Sequence, residues 1–419
     1  MKGATDMSKT AAVREASAHP RLADALRGQP KTVWVTAFAA VIAFMGIGLV
    51  DPILNTITEE LGASPTETTL LFGSYLGVQV LAMLLTGVMS YRFGAKRTLV
   101  TGLVLIVLAA GACALANSIE TLVWLRAVWG LGNAFFIATA LSVIVGAAAG
   151  GQAGAILLYE AALGVGLAVG PLLGAVLGTI SWRGPFAGTA VLMAIGVILC
   201  TAMLAKDKNK SARQKIRLID PILALRNRNL LLTSLGSAFY TAAFFSIIAW
   251  SPFVLGEGAF FVGFVFFGWG LCVAVSSVVL APKVAGWFGE RGGAVITVLI
   301  YALVLLAMAA GNKTVVVIGI IVSGIFSGIL NTLFTGTAMS SGAGPRAVNS
   351  AGYNFLRWFG GAVSAILVGH LAQWLGMRAP FWAGAICCAV AAGLLLLRSG
   401  AGDPDPHAVP EAAAAVGAD

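Results

Sequence analysis

The chain has 419 residues, of which 59% are hydrophobic and 10% are charged. Soluble domains carry about a quarter charged residues, so this much apolar surface excludes a water-soluble core and points to lipid as the solvent. The formal net charge of +9 does not indicate nucleic-acid binding, because the positive residues lie in predicted loops and tails. The five cysteines and three histidines have neither a disulfide pattern nor the spacing of metal ligands, and we expect no metal site.

Twelve hydrophobic runs are long enough to cross a membrane, which takes about 17 to 25 apolar residues per helix. The six runs of the first half cover residues 32–54, 69–90, 99–116, 122–147, 152–180 and 184–205. The six runs of the second half cover residues 230–255, 259–281, 294–310, 315–339, 348–375 and 379–397. The residues before the first run are polar, so we expect that run to be a retained span and not a cleaved signal.

A basic connector separates the two sets of spans. It holds many lysines and arginines and few acids, which predicts a cytoplasmic position for it and, with six spans on each side, for both termini. The predicted organisation is a cytoplasmic tail (1–31), a six-helix bundle (32–205), a basic linker (206–229), a second six-helix bundle (230–398) and a disordered cytoplasmic tail (399–419).

The charges of the remaining loops agree with this orientation. The loops predicted to face the cytoplasm carry Arg92, Lys96, Arg97, Lys283, Arg291 and Arg346. The opposite loops carry the acids Glu59, Glu60, Glu67, Glu120 and Glu257, with only Arg183, Lys313 and Arg378 as positive residues. An excess of Lys and Arg on one side is typical of the cytoplasmic face.

The two halves repeat each other. The stretch Arg92–Arg97, after the second span, matches Trp287–Arg291, after the eighth, and Tyr159-Glu160 of the fifth span matches Tyr353-Asn354 of the eleventh. Such repeats predict two six-helix bundles related by a pseudo-twofold axis along the membrane normal, with a substrate site between them. The fold class is therefore an all-α membrane protein of 12 transmembrane helices.

Glu160 is the sharpest functional candidate. It lies about 12 Å into the fifth span from the cytoplasmic end, near the membrane midplane, where an ionisable group costs about 2.5 to 3.5 kcal/mol. We expect it to bind a proton or a cationic ligand and to line the substrate cavity. The alternative is a structural glutamate held by a neighbouring hydroxyl or by Arg126. Its counterpart in the second half, Asn354, carries no charge but is also expected at the cavity.

Asp51 and Arg126 form a second candidate site for proton coupling. Asp51 is expected in the last turn of the first span, and Arg126 about one turn into the fourth span, from the same outer side. An arginine paired with a carboxylate lowers the proton affinity of that carboxylate, and a substrate that displaces the arginine restores it. Such a pair couples the proton flux to the substrate flux. The alternative is that Asp51 caps the helix end and reaches water.

Several further residues are expected around the cavity. Arg357, in the eleventh span, either forms a locking ion pair with Glu160 or extends its side chain to the headgroups. Tyr240 and Phe244 of the seventh span would supply stacking surface for aromatic or cationic substrates, although lipid-facing packing or an interfacial belt also accounts for aromatic residues there. His370 is expected at the outer interface.

The fifth span contains a glycine stripe. Gly166, Gly170, Gly174 and Gly178 recur every four residues, with Pro171 among them. This spacing places the glycines on one helix face, where a neighbouring helix approaches closely, and the proline bends the helix. Glu160 is expected on another face.

Three segments resemble motifs of the major facilitator superfamily, and within it of the twelve-helix drug:proton antiporters. The loop carrying Gly87, Arg92, Gly94, Lys96 and Arg97 resembles the signature between the second and third spans, with Tyr91 where an aspartate is usual. The stretch Arg126–Gly130 resembles the fourth-span motif whose arginine is implicated in proton coupling. The stretch Gly166–Gly174, with Gly170 and Pro171, resembles the fifth-span antiporter motif.

The resemblance implies a secondary transporter that exports hydrophobic or cationic drugs, or a secreted metabolite, by proton antiport and alternating access. The expected partners are a small-molecule substrate, protons and membrane lipids, with no nucleic acid. The expected setting is a monomer in a bacterial cell membrane, with the proton gradient as energy source and no cofactor. A siderophore exporter and a metabolite importer or facilitator remain alternatives. A membrane enzyme or sensor is disfavoured, because no loop is long enough for a catalytic or sensory domain and no nucleophile and base are paired.

Overall fold

The computed structural model describes residues 28–148, 151–204, 217–341 and 346–398. The side chains of Asp51 and of residues 151–154, 156–157 and 346–347 lie outside that description. The same is true of nearly all of both predicted tails and of residues 206–216 of the predicted linker. Throughout the described ranges the chain is helical and contains no β-strand.

Seven helices make up the described first half. They are α1 (Lys31–Gly48), α2 (Leu54–Glu60), α3 (Pro65–Phe93), α4 (Ala95–Ala114), α5 (Ile119–Ala147), α6 (Gly151–Gly178) and α7 (Gly184–Met203). A capping box begins α3: the Ser64 hydroxyl accepts from the Glu67 N–H, and the Glu67 carboxylate accepts from the Ser64 N–H at 2.8 Å. These bonds satisfy amide groups that a helix N-terminus otherwise leaves open.

The second half contains α8 (Asp220–Ala224), α9 (Arg228–Leu255), α10 (Ala259–Val275), α11 (Ala281–Ala310), α12 (Lys313–Ser341), α13 (Arg346–Leu375) and α14 (Ala379–Leu396). The short helix α8 lies within the segment predicted as a polar linker, and it packs on α13, where the Pro221 carbonyl approaches Gly352. The described end of the linker is therefore a structured part of the second half.

The first predicted span, 32–54, was wrong at its end. Helix α1 stops at Gly48, and Asp51–Ile53 form a 3₁₀ turn that leads into α2. Pro52 has no N–H to donate to the carbonyl of Gly48, so the α-helical hydrogen-bond pattern is interrupted here. The backbone of Asp51 thus lies in this turn and not in the last turn of the helix.

Eleven helices within the described ranges are long and apolar enough to cross a membrane. One of them, Ala259–Ala310, has 52 residues and holds both the eighth and the ninth predicted spans. A straight helix of that length would measure about 78 Å, more than twice the roughly 30 Å hydrocarbon core. It is interrupted by the π-helical turn Ser276–Leu280 and reverses at Gly289, where φ is 69° and ψ is 163°. Two crossings result, which accounts for the predicted twelve.

The glycine stripe of α6 packs against α1. A methyl group added at Gly166 would lie 2.5 Å from the Val41 carbonyl oxygen, and one at Gly170 would lie 2.5 Å from that of Met45. Only glycine permits so close an approach of the two backbones. The stripe therefore belongs to an interface inside the first half.

Two helix pairs make the most extensive contacts between the halves: α3 packs on α13, and α6 packs on α10. Small residues bring the second pair together, since added methyl groups would clash at Gly164 with Ala274 and at Gly263 with Ala175. The same helix, α6, thus contacts its own half through one face and the other half through another.

The duplication seen in the sequence is also visible in four hydrogen-bonded cations. Lys96 donates to carbonyls at the end of α7, and Arg291 donates to those of Leu395 and Leu396 at the end of α14. On the opposite side, Arg183 donates to the Ala116 carbonyl after α4, and Arg378 to the Met308 carbonyl in α11. Lys96 and Arg291 are the same number of residues apart in the sequence as Arg183 and Arg378. A cation at a helix C-terminus satisfies free carbonyls and complements the helix dipole.

Candidate functional site

A small cavity of about 20 Å³, enough for about one water molecule, lies between the two halves. Residues of the first half that line it come from α1 and α6: Phe44, Ile47, Leu163 and Leu167. Residues of the second half come from α9, α12 and α13: Thr241, Phe244, Phe245, Asn331, Arg357 and Trp358. The walls are largely apolar and aromatic, with a few polar groups among them, as is typical of ligand sites.

Arg357 is the charged residue of this lining. Its side chain is only 7% exposed. It donates to Asn331 Oδ1 at 3.0 Å and to Thr335 Oγ1 at 3.5 Å, and it lies within 6 Å of the rings of Tyr353 and Trp358. Both hydrogen-bond acceptors are neutral, so these bonds orient the guanidinium without neutralising it.

Glu160, expected to line the cavity, is not among the lining residues: it is 3% exposed and lies one helical turn from Leu163, which is. The Thr335 hydroxyl donates to its Oε1 at 3.4 Å, whereas its Oε2 has no hydrogen-bond partner among the described residues. Neither proposed arrangement of Arg357 is observed. Glu160 and Arg357 form no direct ion pair, and Arg357 does not extend to the headgroups, because both side chains turn toward Thr335 between them.

Thr335 is therefore the centre of the network. Its hydroxyl oxygen accepts a hydrogen bond from Arg357, and its O–H donates one to Glu160. Tyr353 Oη lies 3.4 Å from the same oxygen. Tyr353 in turn accepts from Ser237 at 3.2 Å. A hydroxyl has one donor and two acceptor positions, so this arrangement uses all of them. The network joins α6 of the first half to α9, α12 and α13 of the second.

Most of the aromatic residues of α9 face inward. Tyr240 and Phe244 are 1% and 7% exposed, so the lipid-facing alternative is wrong for both. Phe244 lines the cavity, while Tyr240 lies behind it, donating to Asn331 Oδ1 at 3.2 Å. Asn354, expected at the cavity, is not part of its lining, and its amide donates instead to Ser350 one turn away on the same helix.

The predicted outer end of the cavity is closed by hydrogen bonds between the halves. Asn55, in α2, donates to the carbonyl oxygen of Pro252 at 3.3 Å. Gln373, in α13, donates to Thr66 Oγ1 in α3 at 2.6 Å. These two contacts, which we call the outer seal, hold the halves together at that end.

Arg126 lies away from the cavity lining, in the interior of the first half. It is fully buried, donates to the carbonyls of Leu71 and Gly46 at 3.3 Å, and lies over the rings of Tyr75 and Trp129 at 4.5 and 4.8 Å. The side chain of Asp51 is outside the described residues, so the predicted pairing of Asp51 with Arg126 stays a prediction. His370 is half-buried and packs beside Trp374.

The motif residues lie at or near the junction of α3 and α4, and inside α6. Gly94 separates α3 from α4 at φ 94°, a conformation that favours glycine, and Gly87 lies within α3. Arg92 and Arg97 are exposed, Tyr91 is half-buried, and Lys96 bonds to the end of α7. Pro171, in α6, packs its carbonyl against Gly263 of α10, and Gly174 approaches the Leu49 carbonyl beyond α1.

Two site residues were missed from the sequence. Asn331 and Thr335 lie four residues apart in α12, so they face the same side of the helix. A search for polar residues inside the predicted tenth span, in addition to charged ones, would have found them.

Comparison with known proteins agrees with this arrangement of helices. The family model of the Major Facilitator Superfamily matches residues 36–365. The chain belongs to this superfamily. The chain is similar to the multidrug efflux protein YfmO of Bacillus subtilis (strain 168), to which it is 44% identical over 377 residues, covering 90% of this chain and 94% of that protein.

More distant similarities extend the comparison. The quinolone resistance protein NorA of Staphylococcus aureus (strain MRSA252) is 24% identical over 298 residues, which cover 69% of this chain and 76% of that protein. The crystal structure of the human organic anion transporter MFSD10 (TETRAN) matches with a TM-score of 0.69 at 16% identity, covering 87% of this chain and 99% of that chain. At this identity the similarity is one of fold.

Proposed function

We propose that this member of the superfamily exports drugs or other small hydrophobic compounds across the bacterial cell membrane in exchange for protons, by alternating access. The network that carries the proposal links Glu160 of the first half to Arg357 of the second through the Thr335 hydroxyl. The 44% identity to a multidrug efflux protein over 90% of the chain supports export of drugs.

The chemistry of Glu160 accounts for coupling. A buried carboxylate without a direct cation partner is unfavourable when ionised, so it gains stability by taking up either a proton or a positively charged substrate group. Tyr159, Tyr353 and Arg357 are the other titratable side chains near it. Because proton and substrate compete for one carboxylate, a gradient of protons drives the substrate in the opposite direction.

Alternating access requires that the outer seal opens. The hydrogen bonds of Asn55 and Gln373 would break as the halves tilt about the cavity, and contacts would form at the opposite end. The basic loops support a cytoplasmic position for that opposite end and for both termini. A single chain contains both halves and the cavity, so a monomer suffices.

Reconstituted proteoliposomes test the proposal. A pH gradient should drive a fluorescent cationic dye across the membrane in the direction opposite to protons, and a protonophore should stop it. Glu160→Gln should lower the rate of gradient-driven dye transport at least about a hundredfold. The matched control is Glu257→Gln, which changes an exposed carboxylate outside the cavity. Gradient-driven transport by Glu160→Gln at the wild-type rate would contradict the role of Glu160, and movement of dye together with protons would indicate an importer.

A further inference from the structure

We propose that the cavity selects zwitterionic aromatic compounds whose ammonium and carboxylate groups lie close together, with the carboxylate on Arg357, the ammonium on Glu160 and the ring between the aromatic walls. This inference rests on the proposed transport function and assigns a substrate class to the same cavity. It differs from selection for simple lipophilic cations, for which Arg357 would be unfavourable.

The first observation is the charge of Arg357. A guanidinium remains protonated in proteins, and the two acceptors of this one, Asn331 and Thr335, are neutral. A buried cation without a counter-ion is costly unless an anion reaches it. Arg357 lines the cavity, so a ligand carboxylate there can accept from the guanidinium in the bidentate geometry that arginine favours.

The second observation is the free oxygen of Glu160. Its Oε2 is buried and makes no hydrogen bond with any described residue, while Oε1 receives only the 3.4 Å bond from Thr335. A buried carboxylate satisfied so incompletely is suited to a ligand that brings a positive charge and several N–H donors. An ammonium group supplies both, and in its absence a proton neutralises the same carboxylate.

The separation of these two groups limits the ligand. Both bond to the single Thr335 oxygen, so Glu160 Oε1 and Arg357 Nη1 lie at most about 7 Å apart. A head group of the α-amino acid type, with ammonium and carboxylate on one carbon, spans this separation when each end makes a hydrogen bond of about 2.8 Å.

The walls of the cavity determine the rest of the ligand. Phe244 and Phe245 are 5.3 Å apart between centroids, and Phe245 packs edge-on to Trp358 at 6.2 Å. Phe44 approaches from the first half. Once the halves part far enough to admit a ligand, aromatic faces and edges of this kind favour a planar ring. Thr241, also in the lining, has a buried hydroxyl without a hydrogen-bond partner among the described residues, which is available to a polar ring substituent.

Binding of a zwitterion agrees with antiport. The ammonium needs Glu160 ionised, so it replaces a proton, whereas the carboxylate binds Arg357 irrespective of that proton. A ligand with only a carboxylate would bind best with Glu160 protonated and would travel with the proton. The ammonium group therefore determines that the ligand moves opposite to the proton, and the carboxylate determines which ligands are selected.

Four ligands that share one ring test the inference: 3-(2-naphthyl)alanine, its methyl ester, its N-acetyl derivative and the N-acetyl methyl ester. Their binding to the detergent-solubilised full chain is measured by calorimetry at neutral pH. The zwitterion should bind at least about tenfold more tightly than either singly blocked form. In Arg357→Gln the zwitterion should no longer bind more tightly than the ester, but it should still bind more tightly than the N-acetyl form. In Glu160→Gln the reverse should hold.

Controls separate this inference from the proposed function. Arg357→Lys keeps the charge and should retain most of the preference over the ester, and size-exclusion chromatography verifies that each variant is folded. If the ester binds to the wild-type protein as tightly as the zwitterion, the inference is wrong. The proposed function is tested separately, by proton-driven dye transport of the wild-type protein in proteoliposomes. If that transport is observed, the proposed function stands even when the inference is wrong. If it is absent, the proposed function itself is wrong.

Discussion

The Thr335 hydroxyl of α12 donates a hydrogen bond to Glu160 of α6, across the boundary between the two halves of the protein. Glu160 therefore acts on the second half through a neutral intermediary and not through a direct ion pair. A hydroxyl can exchange one acceptor for another at low cost, since its hydrogen rotates freely. This makes Thr335 suited to a contact that must break and re-form in every transport cycle.

Replacing this hydroxyl should weaken coupling. Thr335→Val keeps the shape but removes the bonds to Glu160 and Arg357, and we expect proton-driven export to fall about tenfold because two buried charged groups each lose a partner. Initial export rates in proteoliposomes over a range of pH measure the effect. Thr335→Ser retains the hydroxyl and should stay within about twofold of the wild type. Equal rates and pH profiles for the valine and serine variants would contradict the role of Thr335.

The glycine stripe should be sensitive to a single methyl group. In Gly170→Ala the added carbon meets the Met45 carbonyl at 2.5 Å, so α1 and α6 must separate, at a cost of about 1 to 3 kcal/mol. Thermal unfolding in detergent measures it. Gly111→Ala, in α4, is the matched control, because nothing lies within 4 Å of the added carbon and helix propensity changes stability by only about 1 kcal/mol, in the favourable direction. Similar unfolding temperatures for both variants would argue against tight packing of α1 on α6.

The reversal between the eighth and ninth spans depends on backbone conformation alone. Gly289 has φ 69° and no neighbour within 4 Å of an added methyl group. Gly289→Ala should therefore destabilise the protein by about 1 to 2 kcal/mol through strain. Gly286→Ala, three residues earlier on the same exposed segment, lacks the positive φ and should be neutral or slightly stabilising. Chemical denaturation of both variants compares them, and a destabilised Gly286→Ala would point to a cause other than φ.

The seal at the outer end should control which state is populated. Gln373→Leu removes the bond to Thr66, and the loss of about 0.5 to 1.5 kcal/mol shifts the equilibrium toward the outward-open state by about 2- to 12-fold. We would measure how fast an external thiol reagent labels a cysteine placed at the cavity residue Ile47, after the native cysteines are replaced. Glu59→Gln, at an exposed position of the same end, should leave the rate unchanged. A rate unaffected by Gln373→Leu would show that other contacts close this end.

Much of the fold followed from the sequence, because hydrophobic length and charge distribution are local properties. The apolar runs predicted twelve crossings, and the repeated segments around Arg92 and Tyr159 predicted two related halves, which the membership of the superfamily confirms. The ends of helices were less predictable. Pro52 ends α1 earlier than hydropathy indicates, and α10 and α11 run on past the predicted eighth span as far as the reversal at Gly289.

The site depended on contacts between distant parts of the chain. The cost of a charge in lipid drew attention to Glu160, Arg126 and Arg357 from the sequence alone, because few positions in a membrane tolerate one. Only the tertiary structure determined that Thr335 lies between Glu160 and Arg357, that Asn354 bonds to its own helix, and that most of the aromatic residues of α9 turn inward. Periodicity states which residues share a helix face, but the partner of that face is decided by how all the helices pack together.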